Sequence, residues 1–133
     1  MATVNATISL SSASGDLTTD TLSLSDSTAV TCSHTTGLAR KKITATAVHA
    51  TAVVLYTADD FAAGPYLYIK NTHGTSTEYI WVYDDTTSGD PVILKMGGGQ
   101  WALMPLKGDK TIKAYAPSGN DPVVEFMVFG TDQ

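Results

Sequence analysis

The chain has 133 residues, of which 43% are hydrophobic and 16% charged, and its formal net charge is −5. That length supports one ordinary core and so one domain, while the acidic balance excludes a nucleic-acid binder, which needs clustered Lys and Arg against phosphates. Thr and Ser together supply about a quarter of the sequence, a composition that suits strands and their turns and excludes a helical bundle.

At the start, Val4, Ala6, Ile8 and Leu10 alternate with Thr3, Asn5, Thr7 and Ser9, the two-residue period of a half-buried strand. Residues 1–16 are therefore read as an N-terminal arm or a first strand, and residues 17–133 as a single β-sandwich domain. The opening residues lack the charged and apolar regions of a secretory signal, and no run approaches 18 apolar residues, so synthesis in a cytosol and no contact with a membrane are expected. Residues 11–15 form a small polar break, after which Leu17, Leu22 and Leu24 recur with weak periodicity.

Residues 29–56 read as two or three strands, because so many Thr side chains lose χ1 freedom in a helix. The single Cys32 forms no internal disulfide and no thiolate metal site. Arg40-Lys41-Lys42 is the only basic run, expected as a solvated strand start or a local contact with a carboxylate. A helical turn is expected over 58–63, stopped by Gly64-Pro65.

Six further strands follow, over 66–71, 78–83, 91–95, 100–104, 111–115 and 123–129. Each gap between them holds a Gly able to take positive φ. Short strands at this spacing write an all-β sandwich, jelly-roll-like. Gly97-Gly98-Gly99 reads as a tight hairpin turn between its flanking strands, since it lacks the Gly-Lys-Ser/Thr ending of a phosphate loop. In 123–129 both faces are apolar and only Glu125 is polar, which places that strand centrally or at a subunit interface and favours a homo-oligomer.

Catalytic and metal chemistry find little footing. His34, His49 and His73 are far apart, no Gly-x-Ser-x-Gly elbow occurs, and nothing near Cys32 lowers its pKa. Asp59-Asp60 and Asp84-Asp85, with Asp90, are read as solvated loop edges, because adjacent strand residues point to opposite faces and do not converge on one atom. No enzyme activity, cofactor or metal is expected.

The informative residues are aromatic. Tyr66 and Tyr68 share one strand face, and Tyr79, Trp81 and Tyr83 share one face of the next. Leu67 and Ile69, with Ile80 and Val82, form the opposite, core-filling faces. If the two strands pair, the five rings form one interface patch, rings of this kind burying apolar area while keeping a polar tip wet. The competing reading makes them a second core layer.

The stretches Tyr66-Leu67-Tyr68-Ile69-Lys70-Asn71, Tyr79-Ile80-Trp81-Val82-Tyr83, Gly97 through Leu106 and Thr111-Ile112-Lys113-Ala114-Tyr115-Ala116 together resemble small β-rich virion structural proteins of tailed bacteriophages, including those of cyanobacteria. The resemblance spans about half the chain and rests on strand and turn patterns without catalytic residues. It implies a capsid decoration, or cement, protein on the exterior of the virion shell. Such a protein binds the major coat protein, often as a trimer. It also implies that the alternating arm, Val4, Ala6, Ile8 and Leu10, adds a strand to a coat protein or a neighbouring subunit. The alternatives are a host-glycan-binding head-fibre or tail module, in which Asn71, Asp84 and Asp85 orient sugar hydroxyls, and a tail or head-tail connector protein.

Overall fold

The computed structural model describes residues 1–13, 21–43, 52–57, 61, 64–85, 91–117 and 121–131, and within them alternation and β-branched residues favour strands. Eleven strands and no helix occupy these residues: β1 (Ala2–Ser12), β2 (Leu22–Cys32), β3 (His34–Thr35), β4 (Ala39–Lys42), β5 (Val53–Tyr56), β6 (Tyr66–Asn71), β7 (Ile80–Asp84), β8 (Val92–Met96), β9 (Trp101–Pro105), β10 (Ile112–Tyr115) and β11 (Val123–Gly130). The chain divides into two compact units, Met1–Ser33 and His34–Gln133. The boundary thus falls after β2 and not near residue 16. The helical turn expected over 58–63 lies outside the described residues apart from Phe61, which is buried.

In the first unit the arm is one strand of a hairpin. β1 pairs antiparallel with β2 from Ala2 opposite Cys32 to Ser12 opposite Leu22, and with nothing else among the described residues. The polar break expected from residue 11 does not stop β1, which runs on to Ser12. Residues directly opposite share a face. Val4, Ala6, Ile8 and Leu10 therefore lie with Val30, Leu24 and Leu22, whereas the other face carries only Thr, Ser, Asn and Ala side chains. Cys32 is buried, and its Sγ–H donates to the Val30 carbonyl at 3.4 Å.

The second unit is a β-sandwich of two antiparallel sheets. One has the order β5-β10-β7-β8; the other has the order β3-β11-β6-β9, with β4 also pairing β11. Alternate residues of both sheets meet in one core. Leu67 and Ile69 of β6 and Val124, Phe126 and Val128 of β11 face Ile80 and Val82 of β7, Ile112 and Ala114 of β10, and Leu55 of β5. Each of these side chains larger than Ala114 contributes about 1.5–3 kcal/mol on burial. Leu67, Ile69, Ile80 and Val82 are fully buried, as their alternation predicts. β11 is indeed central, flanked by β6 on one side and by β3 and β4 on the other.

Two expectations about connectivity fail. β6 and β7 do not pair: β6 lies between β11 and β9, and β7 lies between β10 and β8 in the other sheet. Gly97, Gly98 and Gly99 likewise make no hairpin, because β8 belongs to the four-stranded sheet and β9 to the five-stranded one. The glycines instead carry the chain across the end of the sandwich. A β-carbon at Gly97 would fall on the Ser76 carbonyl oxygen and one at Gly98 on the Thr75 carbonyl oxygen, while Gly99 has φ +83°. Backbone approach that close admits no side chain.

Asn71 locks this crossing. It is fully buried; its Nδ2 donates to the carbonyls of Glu78 (2.8 Å) and Met96 (3.2 Å), and its Oδ1 accepts from the His73 amide at 3.1 Å. Its own carbonyl accepts from the Gly99 amide at 2.9 Å. The side chain thereby satisfies loop groups that would otherwise be buried without partners.

Candidate functional site

The outward face of the five-stranded sheet is built row by row from its register. Arg40, Glu125, Lys70 and Trp101 form one row, Met127, Tyr68 and Leu103 the next, and Phe129, Tyr66 and Pro105 the third. Trp101 is 56% exposed at the free edge, Tyr68 and Leu103 are half-buried, and Tyr66 stacks on the buried Phe129 with centroids 5.8 Å apart. The result is an apolar and aromatic strip bordered by charge.

That border is ordered. Arg40 donates to Glu125 Oε2 from Nε at 2.9 Å and from Nη2 at 2.7 Å, while the Tyr68 hydroxyl donates to Oε1 at 3.3 Å. The bonded guanidinium holds the Glu125 carboxyl below its ordinary range, against an opposing effect of desolvation. Burial, then the Glu125 charge, pushes the Tyr68 phenol up. Near neutral pH the acid stays ionised and the phenol protonated, so this pair offers no group poised for general acid-base work.

Beside Trp101 an open groove of about 520 Å³ runs between β8 and β9. Leu94, Met96 and Ala102 supply its apolar wall, and Lys95, Gln100 and Trp101 its polar and aromatic one. Gln100 is held in place, its Oε1 accepting from the Gly97 amide at 2.7 Å. Both bordering strands are edges of their sheets.

The five rings expected as one patch are split between the two outer faces of the sandwich, Tyr66 and Tyr68 on one and Trp81 and Tyr83 on the other. Tyr83 is fully buried and packs edge-on against Tyr115 at 5.8 Å; Trp81 lies 6.0 Å from the same ring. Tyr79, just before β7, is capped by Lys95, whose Nζ sits 4.4 Å from its ring centroid and 5.6 Å from that of Trp81. The Trp81 indole N–H is buried without a hydrogen-bond partner among the described residues. On that face the second-layer reading fits Tyr83, whose ring is not accessible to a partner.

Several other candidates take definite places. Lys42 pairs with Asp121 at 2.8 Å and Lys41 Nζ donates to the Val54 carbonyl at 2.6 Å, so the basic run is occupied locally, as expected. Of the two aspartates expected as solvated loop edges, Asp84 is instead buried at the end of β7 against Lys110 at 3.0 Å, whereas Asp85 is exposed in the turn that follows and pairs with Lys113 at 2.6 Å. These two aspartates belong to the other sheet, and Asn71 is spent on the glycine crossing, so the trio expected to orient a sugar is not assembled. Asp59, Asp60, Asp90 and His49 lie outside the described residues. Among the described residues no group of three His, Cys, Asp or Glu side chains is placed to hold a metal ion, and no described helix is long and apolar enough to cross a membrane.

Trp101 was missed as a site residue because the glycine run marked its strand as half of a hairpin. The available signal was the alternation of Trp101, Leu103 and Pro105 with Ala102 and Met104, two faces of unequal bulk. Compared with known proteins, the chain matches no family model, no curated protein and no solved structure.

Proposed function

We propose that this chain is a non-enzymatic structural protein of a tailed-bacteriophage virion, a decoration or cement protein that binds the major coat protein on the outside of the assembled shell as a homo-oligomer. The observation that carries this reading is the outward strip of Trp101, Tyr68, Leu103, Tyr66 and Pro105 bordered by the Arg40–Glu125 pair. An apolar centre with a polar rim is the anatomy of a protein contact, and large rings in it concentrate the binding energy. A protein that binds the mature lattice better than free coat subunits stabilises the lattice by linkage. Several copies acting together strengthen the effect without new contact types.

The test is sedimentation of the purified chain with emptied, expanded phage heads stripped of accessory proteins. Trp101→Ala with Tyr68→Ala is expected to weaken occupancy about a hundredfold, two truncated anchors, with folding intact by circular dichroism. Unchanged occupancy would overturn the assignment of the strip, and the absence of binding to any head would overturn the decoration role. The groove beside Trp101, with Gln100 and Lys95 at its border, favours a second reading as a host-glycan module. Saturable binding to a glycan array that is lost in Trp101→Ala, without head binding, would select it.

A further inference from the structure

Each outer edge of a sandwich presents backbone groups that another chain can pair with unless something blunts it. In the His34–Gln133 unit most edges are blunted. β3 has two residues, and β4 carries Arg40, Lys41 and Lys42. β5 is four residues long, and the Lys41 ammonium already occupies the Val54 carbonyl at 2.6 Å. β8 carries Lys95, and its register against β7 slips between Val82 and Tyr83. β9 differs: it has five residues, no charge and an unbroken register along β6, and only Pro105 at its end lacks a donor.

The register fixes which groups of β9 are free. The Asn71 amide donates to the Gln100 carbonyl at 3.0 Å and the Leu106 amide to the Pro65 carbonyl at 2.6 Å, so the even-numbered residues of β9 bond toward β6. The N–H and C=O of Trp101 and Leu103 therefore point away from the sheet, and among the described residues no strand pairs with them. Inside this edge Leu94, Ala102 and Met104 are only partly buried against the core. The groove of about 520 Å³ lies there, with Leu94, Met96 and Ala102 as its apolar wall. Ala102, opposite Ile69, fills its inward position with a single methyl, which leaves room for the inward side chains of one more strand. Among the described residues Lys95 is the only charge lining the groove, so a complementary occupant brings no cation.

We propose that the free edge of β9 is a strand-addition site for an extended peptide whose alternate side chains are aliphatic and which carries no basic residue. Main-chain bonds to Trp101 and Leu103 supply affinity, and aliphatic side chains entering the groove supply selectivity. Two N–H and C=O pairs about 7 Å apart along one strand match a peptide backbone better than a sugar. This inference goes beyond shell binding and is tested on the isolated chain, so a failure to bind heads leaves it intact.

The experiment is fluorescence polarisation of the full chain with labelled seven-residue peptides in which Val or Ile alternates with Ser or Asp. Saturable binding is expected, weakened several-fold when Lys replaces Asp in the peptide. Methylating alternate peptide nitrogens separates the two sides of the added strand: the set facing β9 is expected to lose about tenfold or more, the set facing solvent little. Leu103→Pro removes a free N–H that an edge strand can spare and is expected to weaken binding about tenfold, more than Leu103→Ala, with circular dichroism unchanged. If Leu103→Pro misfolds, the methylated peptides decide the question on the wild-type chain. No saturable binding by any peptide of the set, equal effects of the two methylation patterns, or a Leu103→Pro loss matched by Leu103→Ala would each overturn the proposal. Displacement of the peptide by oligosaccharides would give the groove to a sugar, and binding that appears only as copies dissociate would give the edge to a second copy; either overturns it as well.

Discussion

Val4, Ala6, Ile8 and Leu10 write the same alternation as Leu67 and Ile69, yet the second pair is fully buried while Ile8 and Leu10 stand open. The difference lies in what faces each strand. β6 has an opposing sheet that supplies Ile80, Val82 and Ile112, whereas the hairpin has one layer. Alternation specifies which face is apolar, and a second layer decides whether that face leaves water.

The largest effect that would break this contrast comes from matched truncations. Phe126→Ala is expected to cost about 3–5 kcal/mol in urea unfolding monitored by tryptophan fluorescence, and Leu10→Ala in the hairpin less than about 0.5 kcal/mol at dilutions that disfavour association. Equal costs would show that the hairpin face is covered within one chain. Next is Asn71→Ala, expected to cost about 2–4 kcal/mol because it strands the carbonyls of Glu78 and Met96 and the His73 amide. A near-neutral result would mean that water replaces the amide.

The smallest effect concerns the border of the strip. Because Glu125 titrates below its ordinary range when folded, its contribution is present above the unfolded carboxyl pKa and is lost as pH falls through the depressed value. Arg40→Gln should therefore lower the urea midpoint slightly at neutral pH and converge with wild type in acid. The gap stays small, since the Arg40 side chain is 70% exposed. A gap that persists in acid would assign the loss to packing of the Arg40 stem.

Strand positions were legible because alternation and glycine-marked turns are local signals. The reading of 66–71 coincides with β6, and 123–129 falls one residue short of β11. Pairing was not legible. Whether Gly97, Gly98 and Gly99 reverse the chain within a sheet or carry it to the other depends on the backbone that passes beside them, here Thr75 and Ser76, and no local pattern encodes that. The candidate site inherited the error: assuming that β6 pairs with β7 merged two surfaces and hid Trp101. Tyr66 and Tyr68 survive as members of the strip, while Trp81 and Tyr83 belong to the opposite face.

The central place of β11 also sets an order of events in time. Arg40 meets Glu125, 85 residues further along, and Thr35 meets Val128, 93 residues further along. The pairing of β1 with β2 is local and can zip within microseconds. The five-stranded sheet must wait for its middle strand to be synthesised, and non-local pairing of this kind is slow. Until then β6 and β4 lack their shared neighbour. A nascent chain paused before residue 123 would present the apolar edge of β6 to other chains, and in that interval aggregation competes with folding.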